Sequence, residues 1–315
     1  MPGGTRQPII LDCDPGHDDA MAILLAAASP AIELRAITTV HGNQTLAKTT
    51  LNARRVCTVA GIRDVPIAAG CDRPLVREPI VAADIHGESG LDGPSWPEPG
   101  VELDRHHAVD LIIEEALASD GELVLVPVGP LTNVATALRR EPRIAARLRR
   151  IVLMGGAIGL GNTTPAAEFN IFVDPEAAHV VFSSGVPFTM VPLEVTHRAL
   201  ATPEVLARIE ALDTPVAVTA VQLMRFFAAT YERVFGFPAP AVHDPCAVAS
   251  VIEDGIVSTR SMHVAVDVRS ELSYGRTVCD VHGVTGRAPN ADVGVDLAVE
   301  RYWNLVIEAL ATYRD

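Results

Sequence analysis

Pro8-Ile-Ile-Leu-Asp-Cys-Asp-Pro-Gly-His-Asp-Asp-Ala20 is the stretch on which the fold turns. It opens with an apolar run that closes on an acid, which is how a strand buried on both faces reads. Pro15-Gly16 bends the chain. Asp18 and Asp19 then open a helix that runs to about Ala28 through Ala, Ile, Leu and Met. Strand, turn and helix in immediate succession are the first part of a βαβ unit.

The same alternation continues outward. Glu33–Val40, Val65–Ala68, Leu123–Val128, Ile151–Met154 and Val186–Val191 read as strands. Thr45–Ala60, His107–Ala118, Leu131–Leu138, Pro175–Ser183 and Cys246–Ile252 read as helices. Strands separated by helices of this length predict an α/β protein with a mostly parallel central sheet flanked by helices, a Rossmann-like open fold. Two stretches break the rhythm. Cys71–Gly100, rich in Gly, Pro and acids, reads as a long surface loop. Leu200–Phe237 reads as a pair of helices carrying Phe226, Phe227 and Tyr231. With 315 residues, the chain reads as one domain over 1–315 with a helical insertion at about 200–240.

Composition narrows the function classes. A formal charge of −14 argues against a nucleic-acid polymer as partner, since phosphate tracking needs a basic stripe. The basic residues are scattered, and Arg139–Arg150 reads as a solvated helix face and loop. No run is long enough to span a bilayer, and the start lacks the pattern of an export signal. Five cysteines without a CxxC pair read as reduced thiols of a cytoplasmic protein.

Ligands of parallel α/β folds bind beyond the carboxyl ends of the strands, and Asp12, Asp14, Asp18 and Asp19 crowd such an end. A helix N-terminus favours negative charge by about 0.3–1 kcal/mol, too little to hold Asp14, Asp18 and Asp19 together as anions. The cluster therefore predicts a hard divalent cation, calcium or magnesium. In the plainer alternative Asp18 caps the helix and the other acids are solvated. A haloacid-dehalogenase-type phosphatase also places two aspartates after its first strand, but it would want Thr or Ser where Gly16 stands.

Further groups gather at other strand ends. Asn43 can offer both a carbonyl and an amide to a water or a sugar hydroxyl. Pro127 and Pro130 frame a bend whose carbonyls are not all used by sheet or helix, so one can ligate a metal, while Thr132 reads as a helix cap. The glycine-rich Met154–Asn162 segment satisfies neither GxGxxG nor Walker A. Asn162, Glu168 and Asn170 combine neutral amides with one carboxylate, a set suited to polyols. His243, before Asp244-Pro245, has the titration range of a general acid or base. His106, His107, His179, His197, His263 and His282 read as structural. With no GxSxG elbow and no cysteine in a nucleophile context, covalent catalysis has no candidate.

Asp12–Ala20, Ile37–Asn43, Leu153–Gly156, Ala167–Asn170 and Val242–Pro245, in this order along most of the chain, together resemble the inosine–uridine-preferring nucleoside hydrolases. The resemblance implies one bound calcium ion that holds the ribose of a ribonucleoside and a nucleophilic water. It implies Asp14, Asp19 and Asp244 as metal carboxylates and the Val128 carbonyl as a further ligand. It implies Asp18 as the general base, Asn43 as an orienter of the water, and Met154, Asn162, Glu168 and Asn170 as ribose contacts. His243 resembles a leaving-group contact, and His86 with Tyr231 the base-side wall. Phe227 stands where some members have a hydrogen-bonding Tyr or Gln. The family forms homodimers and homotetramers, which are the expected assemblies. The expected reaction is hydrolysis of the N-glycosidic bond through an oxocarbenium-like transition state. A metal-dependent phosphohydrolase and a non-catalytic nucleoside- or ribose-binding protein are the alternatives.

Overall fold

The computed structural model describes residues 6–314. Its strands are β1 (Gln7–Cys13), β2 (Ile32–Thr39), β3 (Ile67–Ala69), β4 (Leu123–Pro127), β5 (Leu148–Met154), β6 (Phe188–Val191), β7 (Val257–Met262), β8 (Val264–Val266), β9 (Thr277–Cys279) and β10 (Ala291–Leu297). The helices are α1 (His17–Ala28), α2 (Leu46–Val59), α3 (Ala83–His86), α4 (Ala108–Ala118), α5 (Thr132–Arg140), α6 (Phe169–Val173), α7 (Pro175–Phe182), α8 (Leu193–Thr196), α9 (Pro203–Glu210), α10 (Pro215–Phe235), α11 (Pro245–Ile252) and α12 (Val299–Leu310).

Eight strands form one sheet in the order β3-β2-β1-β4-β5-β6-β10-β7. All neighbours pair in parallel except β10 and β7. The α/β expectation holds, with this antiparallel edge added. Strand order reverses between β1 and β4, where the chain's crossovers leave the sheet in opposite directions and open a crevice beyond the strand ends. Asp12 pairs opposite Pro127, and Cys13 opposite Thr39, so Asp14, Val128 and the loop to Asn43 all emerge at one level.

Alternation along the buried strands divides the core in two. Ile9, Leu11 and Ile37 face a layer containing α1, α2, α11 and α12, while Ile10, Leu123 and Leu125 face α4, α5 and α7. The α1 helix is buried from His17 to Ala26, which explains its nearly all-apolar sequence. Its opening turn is held by Asp19, whose Oδ2 accepts from the Gly16 N–H at 2.9 Å. Among the described residues no helix is long and apolar enough to cross a membrane.

Three sequence expectations need correction. The Thr132 hydroxyl does not cap α5, because Thr132 is already the first residue of the helix, past the N-cap position that Leu131 holds; the hydroxyl instead donates to Asp174 Oδ2 at 2.7 Å. Arg149 and Arg150 lie in β5 rather than in a loop. The Cys71–Gly100 stretch folds inward in part, forming α3 and burying His86 and Leu91. Helices α9 and α10 occupy the stretch read as a helical pair. Nothing in the sequence reading anticipates β7 to β10 or α12.

Candidate active site

The floor of the crevice is carboxylate. Asp14, Asp18, Asp19 and Asp244 are all buried. One oxygen each of Asp18, Asp19 and Asp244 lies within 4.8 Å of the others. Asp14 belongs to the same knot: its N–H donates to Asp19 Oδ1 at 3.0 Å and its Oδ2 accepts from the Asn43 N–H at 2.6 Å. Asn43 Nδ2 also donates to Asp19 Oδ2 at 3.0 Å, so the end of β2 fastens the end of β1. Asp18 Oδ2 accepts from the His243 N–H at 3.2 Å, which joins α1 to the start of α11 across more than 200 residues of chain.

Burial raises the pKa of every one of these acids, and their mutual repulsion adds to it for Asp14, Asp18 and Asp244. Asp18 is pushed to about 8, first by burial and then by the charge of Asp19. Asp14 Oδ1 is buried with no hydrogen-bond partner among the described residues. A buried carboxylate oxygen with nothing to accept from, beside three more acids, is the donor set of a hard divalent cation. The space around it is kept by glycine: a Cβ on Gly129 would stand 2.3 Å from Asp14 Oδ1, closer than any packing allows. The Val128 carbonyl borders the crevice and accepts from Asn170 Nδ2 at 2.8 Å, which leaves its second lone pair for a ligand.

The crevice is a cavity of about 370 Å3 that also takes in Met154, Asn162, Glu168, Asn170, His86, Phe227 and Tyr231. Glu168 caps α6 with both oxygens, accepting from Asn170 N at 2.9 Å, Gly156 N at 2.8 Å and Ile171 N at 3.2 Å. Burial still lifts its pKa to about 7. Asn170 Nδ2 also donates to the Met154 carbonyl at 3.2 Å, and Asn162 Oδ1 accepts from the Phe169 N–H at 3.0 Å. Among the described residues no lysine or arginine lines this cavity.

Aromatic rings make the opposite wall. Tyr231 OH and His243 Nε2 are 2.5 Å apart, and His243 Nδ1 lies 2.7 Å from Thr196 Oγ1. Burial lowers the His243 pKa to about 3, so its ring is neutral. His86 stacks on Phe227, with ring centres 5.3 Å apart. Every residue predicted for the site therefore converges on this cavity or its floor. Sequence reasoning missed His17, Thr196 and Phe169. His17 stacks beneath His86 and Phe227 at 5.3 and 5.1 Å, and its Nδ1 lies 3.1 Å from His86 Nδ1. It sits inside the acidic motif, but only the packing of the distant α3 and α10 gives it a purpose. His197, read as structural, lies edge-on to His243 at 5.6 Å.

Fold and site together define a doubly wound α/β protein whose switch-point cavity joins a cluster of four buried acids to one wall of amides and another of aromatic rings. Residues 9–304 match the model of the inosine-uridine preferring nucleoside hydrolase family, and the chain belongs to that family. It is a ribonucleoside hydrolase. It is 48% identical over 308 residues, 98% of each chain, to the pyrimidine-specific ribonucleoside hydrolase RihB of Escherichia coli O1:K1. In structure it resembles a purine-preferring ribonucleoside hydrolase from Gardnerella vaginalis, with TM-score 0.91, 32% identity and coverage of 97% and 98% of the two chains. It also resembles a plant nucleoside hydrolase, with TM-score 0.89, 30% identity and coverage of 97% and 99%.

Proposed function

We propose that the chain releases ribose and free base from ribonucleosides by direct attack of a water on the anomeric carbon, with Asp18 as the general base. The observation that carries this reading is Asp18 itself, a buried carboxylate that lines the cavity and has an oxygen within 4.8 Å of those of Asp19 and Asp244. Asp14, Asp19 and Asp244, with the Val128 carbonyl, would hold a calcium ion. When bound, that ion supplies a grip on the 2′ and 3′ hydroxyls and a lowered pKa for a water.

The protein's own groups do the rest. Asp18 takes the proton of the attacking water, and the Asn43 carbonyl orients that water. Glu168, Asn162, Asn170 and Met154 hold the ribose, and the surrounding carboxylates stabilise the positive charge that builds on it as the N-glycosidic bond breaks. His243 contacts the leaving base, which His86 and Tyr231 wall in. Displacement without a covalent intermediate inverts the anomeric centre. The chain is proposed to assemble as a homodimer or homotetramer, which light scattering measures directly.

Pyrimidine ribonucleosides are the proposed preference, supported by the relative that shares 48% of its residues with this chain. Among the described residues no lysine or arginine lines the cavity, which argues against a phosphohydrolase, since that needs a cradle for phosphate. A panel of ribonucleosides and their 5′-phosphates, with free ribose measured before and after chelation, tests the reading. Ribose from nucleosides alone, lost on chelation and restored by calcium, is expected. Phosphate release instead would overturn it, and so would ligand binding without turnover.

A further inference from the structure

Beside the catalytic cavity lies a second one of about 490 Å3. Asn162 and Tyr231 line both. Leu160, Leu193, His197 and Phe237 line the second alone, and they make it mostly apolar. His197 lies edge-on to Phe237 at 5.3 Å, and burial lowers its pKa, so that ring is neutral. Glu194 also borders the cavity, but its two oxygens are engaged by backbone, accepting from the Ile158 N–H at 2.9 Å and the Gly159 N–H at 2.8 Å. Among the described residues no lysine or arginine lines it.

The Glu194 bonds hold the glycine-rich loop in place. Gly161 in that loop packs so closely that a Cβ would stand 2.2 Å from the Ala167 carbonyl oxygen. Leu160 is therefore set on the rim of the cavity by a fixed backbone, although it is 78% exposed. An aliphatic side chain left in water at the edge of an apolar cavity favours a ligand that covers it.

The sugar's own stereochemistry says which part of a substrate faces this cavity. In a β-ribonucleoside the base and the C5′ group leave one face of the ribose ring, and the 2′ and 3′ hydroxyls leave the other. Those hydroxyls are assigned above to the carboxylate floor. Among the described residues no floor acid lines the second cavity, and neither does Asn43 or Val128. It borders instead Asn162, a ribose contact, and Tyr231, part of the base-side wall. The group of the sugar that lies toward both is C5′.

We propose that the second cavity is a 5′ subsite, which takes ribonucleosides whose 5′ hydroxyl is replaced by an uncharged apolar group such as an arylthio group. The proposal rests on the reading that sets the 2′ and 3′ hydroxyls on the floor. The reaction is the same hydrolysis: the C1′–N bond breaks, the water oxygen joins C1′, one water proton ends on the base, and the thioether is untouched. A 5′-phosphate finds no cationic side chain there and meets Glu194 instead.

The test follows uracil release by the calcium-loaded protein from uridine, 5′-deoxyuridine, 5′-deoxy-5′-phenylthiouridine and uridine 5′-phosphate. Relative to 5′-deoxyuridine, which offers the cavity nothing to hold, the phenylthio compound should show a kcat/KM about 10- to 100-fold higher, and the phosphate no gain. Leu160→Glu places a charge at the rim, on an exposed position, and should cut the phenylthio advantage at least about fivefold. No advantage for the phenylthio compound would overturn the proposal, and so would an equal gain for the phosphate. An advantage that Leu160→Glu leaves intact would also overturn it, since the group would then sit elsewhere. Uridine cleavage in any of these outcomes leaves the underlying reading standing; a protein that cleaves none of the four defeats that reading and the proposal with it.

Discussion

The floor of the cavity hangs from strand ends: Asp14 follows β1, Asn43 follows β2 and Val128 follows β4, each pinned by backbone bonds at the sheet's edge. The mouth is made instead by α3 with the segment leading into it and by α10, where Val81 of that segment and Val234 of α10 are 44% and 43% exposed and the contacts are rings and aliphatic side chains. One cross-tie between the two walls is the Arg233 Nη2 bond to the Asp84 carbonyl at 2.8 Å. The floor places charges within hydrogen-bonding precision, and the sheet gives it that rigidity. The mouth needs only shape and stacking, which a short helix and a long one can supply while keeping freedom to move. Changes in the floor should therefore strike turnover and cation affinity, and changes in the mouth should strike substrate affinity and the choice of base.

The sharpest attempt to break this division is Asp18→Ala. It should lower kcat by about 10²- to 10⁴-fold while calcium and nucleoside still bind, as calorimetry would show. Near-normal ribose release from this variant would remove Asp18 from the role given to it. Gly129→Ala comes next. Its new methyl meets Asp14 at 2.3 Å, so the carboxylate must move, and the calcium dissociation constant should rise at least about tenfold with a smaller change in KM at saturating cation.

A third test uses pH on the metal-free protein. The floor acids and Glu168 have folded-state pKa values above their unfolded ones, so the folded chain holds their protons more tightly. That contribution is complete below about pH 4 and is lost as pH rises through the folded values, about 7 for Glu168 and about 8 for Asp18. In chelator, Tm should drop by on the order of 5 °C between pH 5 and pH 8. Calcium should restore more stability at pH 8 than at pH 5; a flat profile would mean that burial and mutual repulsion do not raise these acids as described. The mildest test is Arg233→Ala, which loosens the mouth. KM should rise about 2- to 5-fold with calcium affinity unchanged.

The same division explains what could be read in the sequence. The floor was legible because its residues follow buried strands whose apolar runs are unmistakable, as in Ile9–Leu11 and Leu123–Val126. Four acids in eight residues are also more than a helix start can use, so the surplus negative charge itself pointed to a cation. The mouth was legible only through family resemblance: nothing local to His86 or Tyr231 says that they face each other across a cavity. His17 and Thr196 could not be read at all, because their meaning comes from partners 69 and 47 residues away. Strand β7 escaped because its exposed edge is filled by Ser, Thr and Arg rather than by alternating apolar residues. Helix α12, with Tyr302, Trp303, Val306, Ala309 and Leu310 on one face, carried a helical signal that was there to be found.

Asp244 is the last of the floor acids to be synthesised, and it follows Asp14 by most of the chain. A nascent polypeptide that has already laid down β1 through β6 still lacks the residue that closes its ring of negative charge. The four acids can therefore meet only when α11 arrives against α1, a late event on a nearly finished protein.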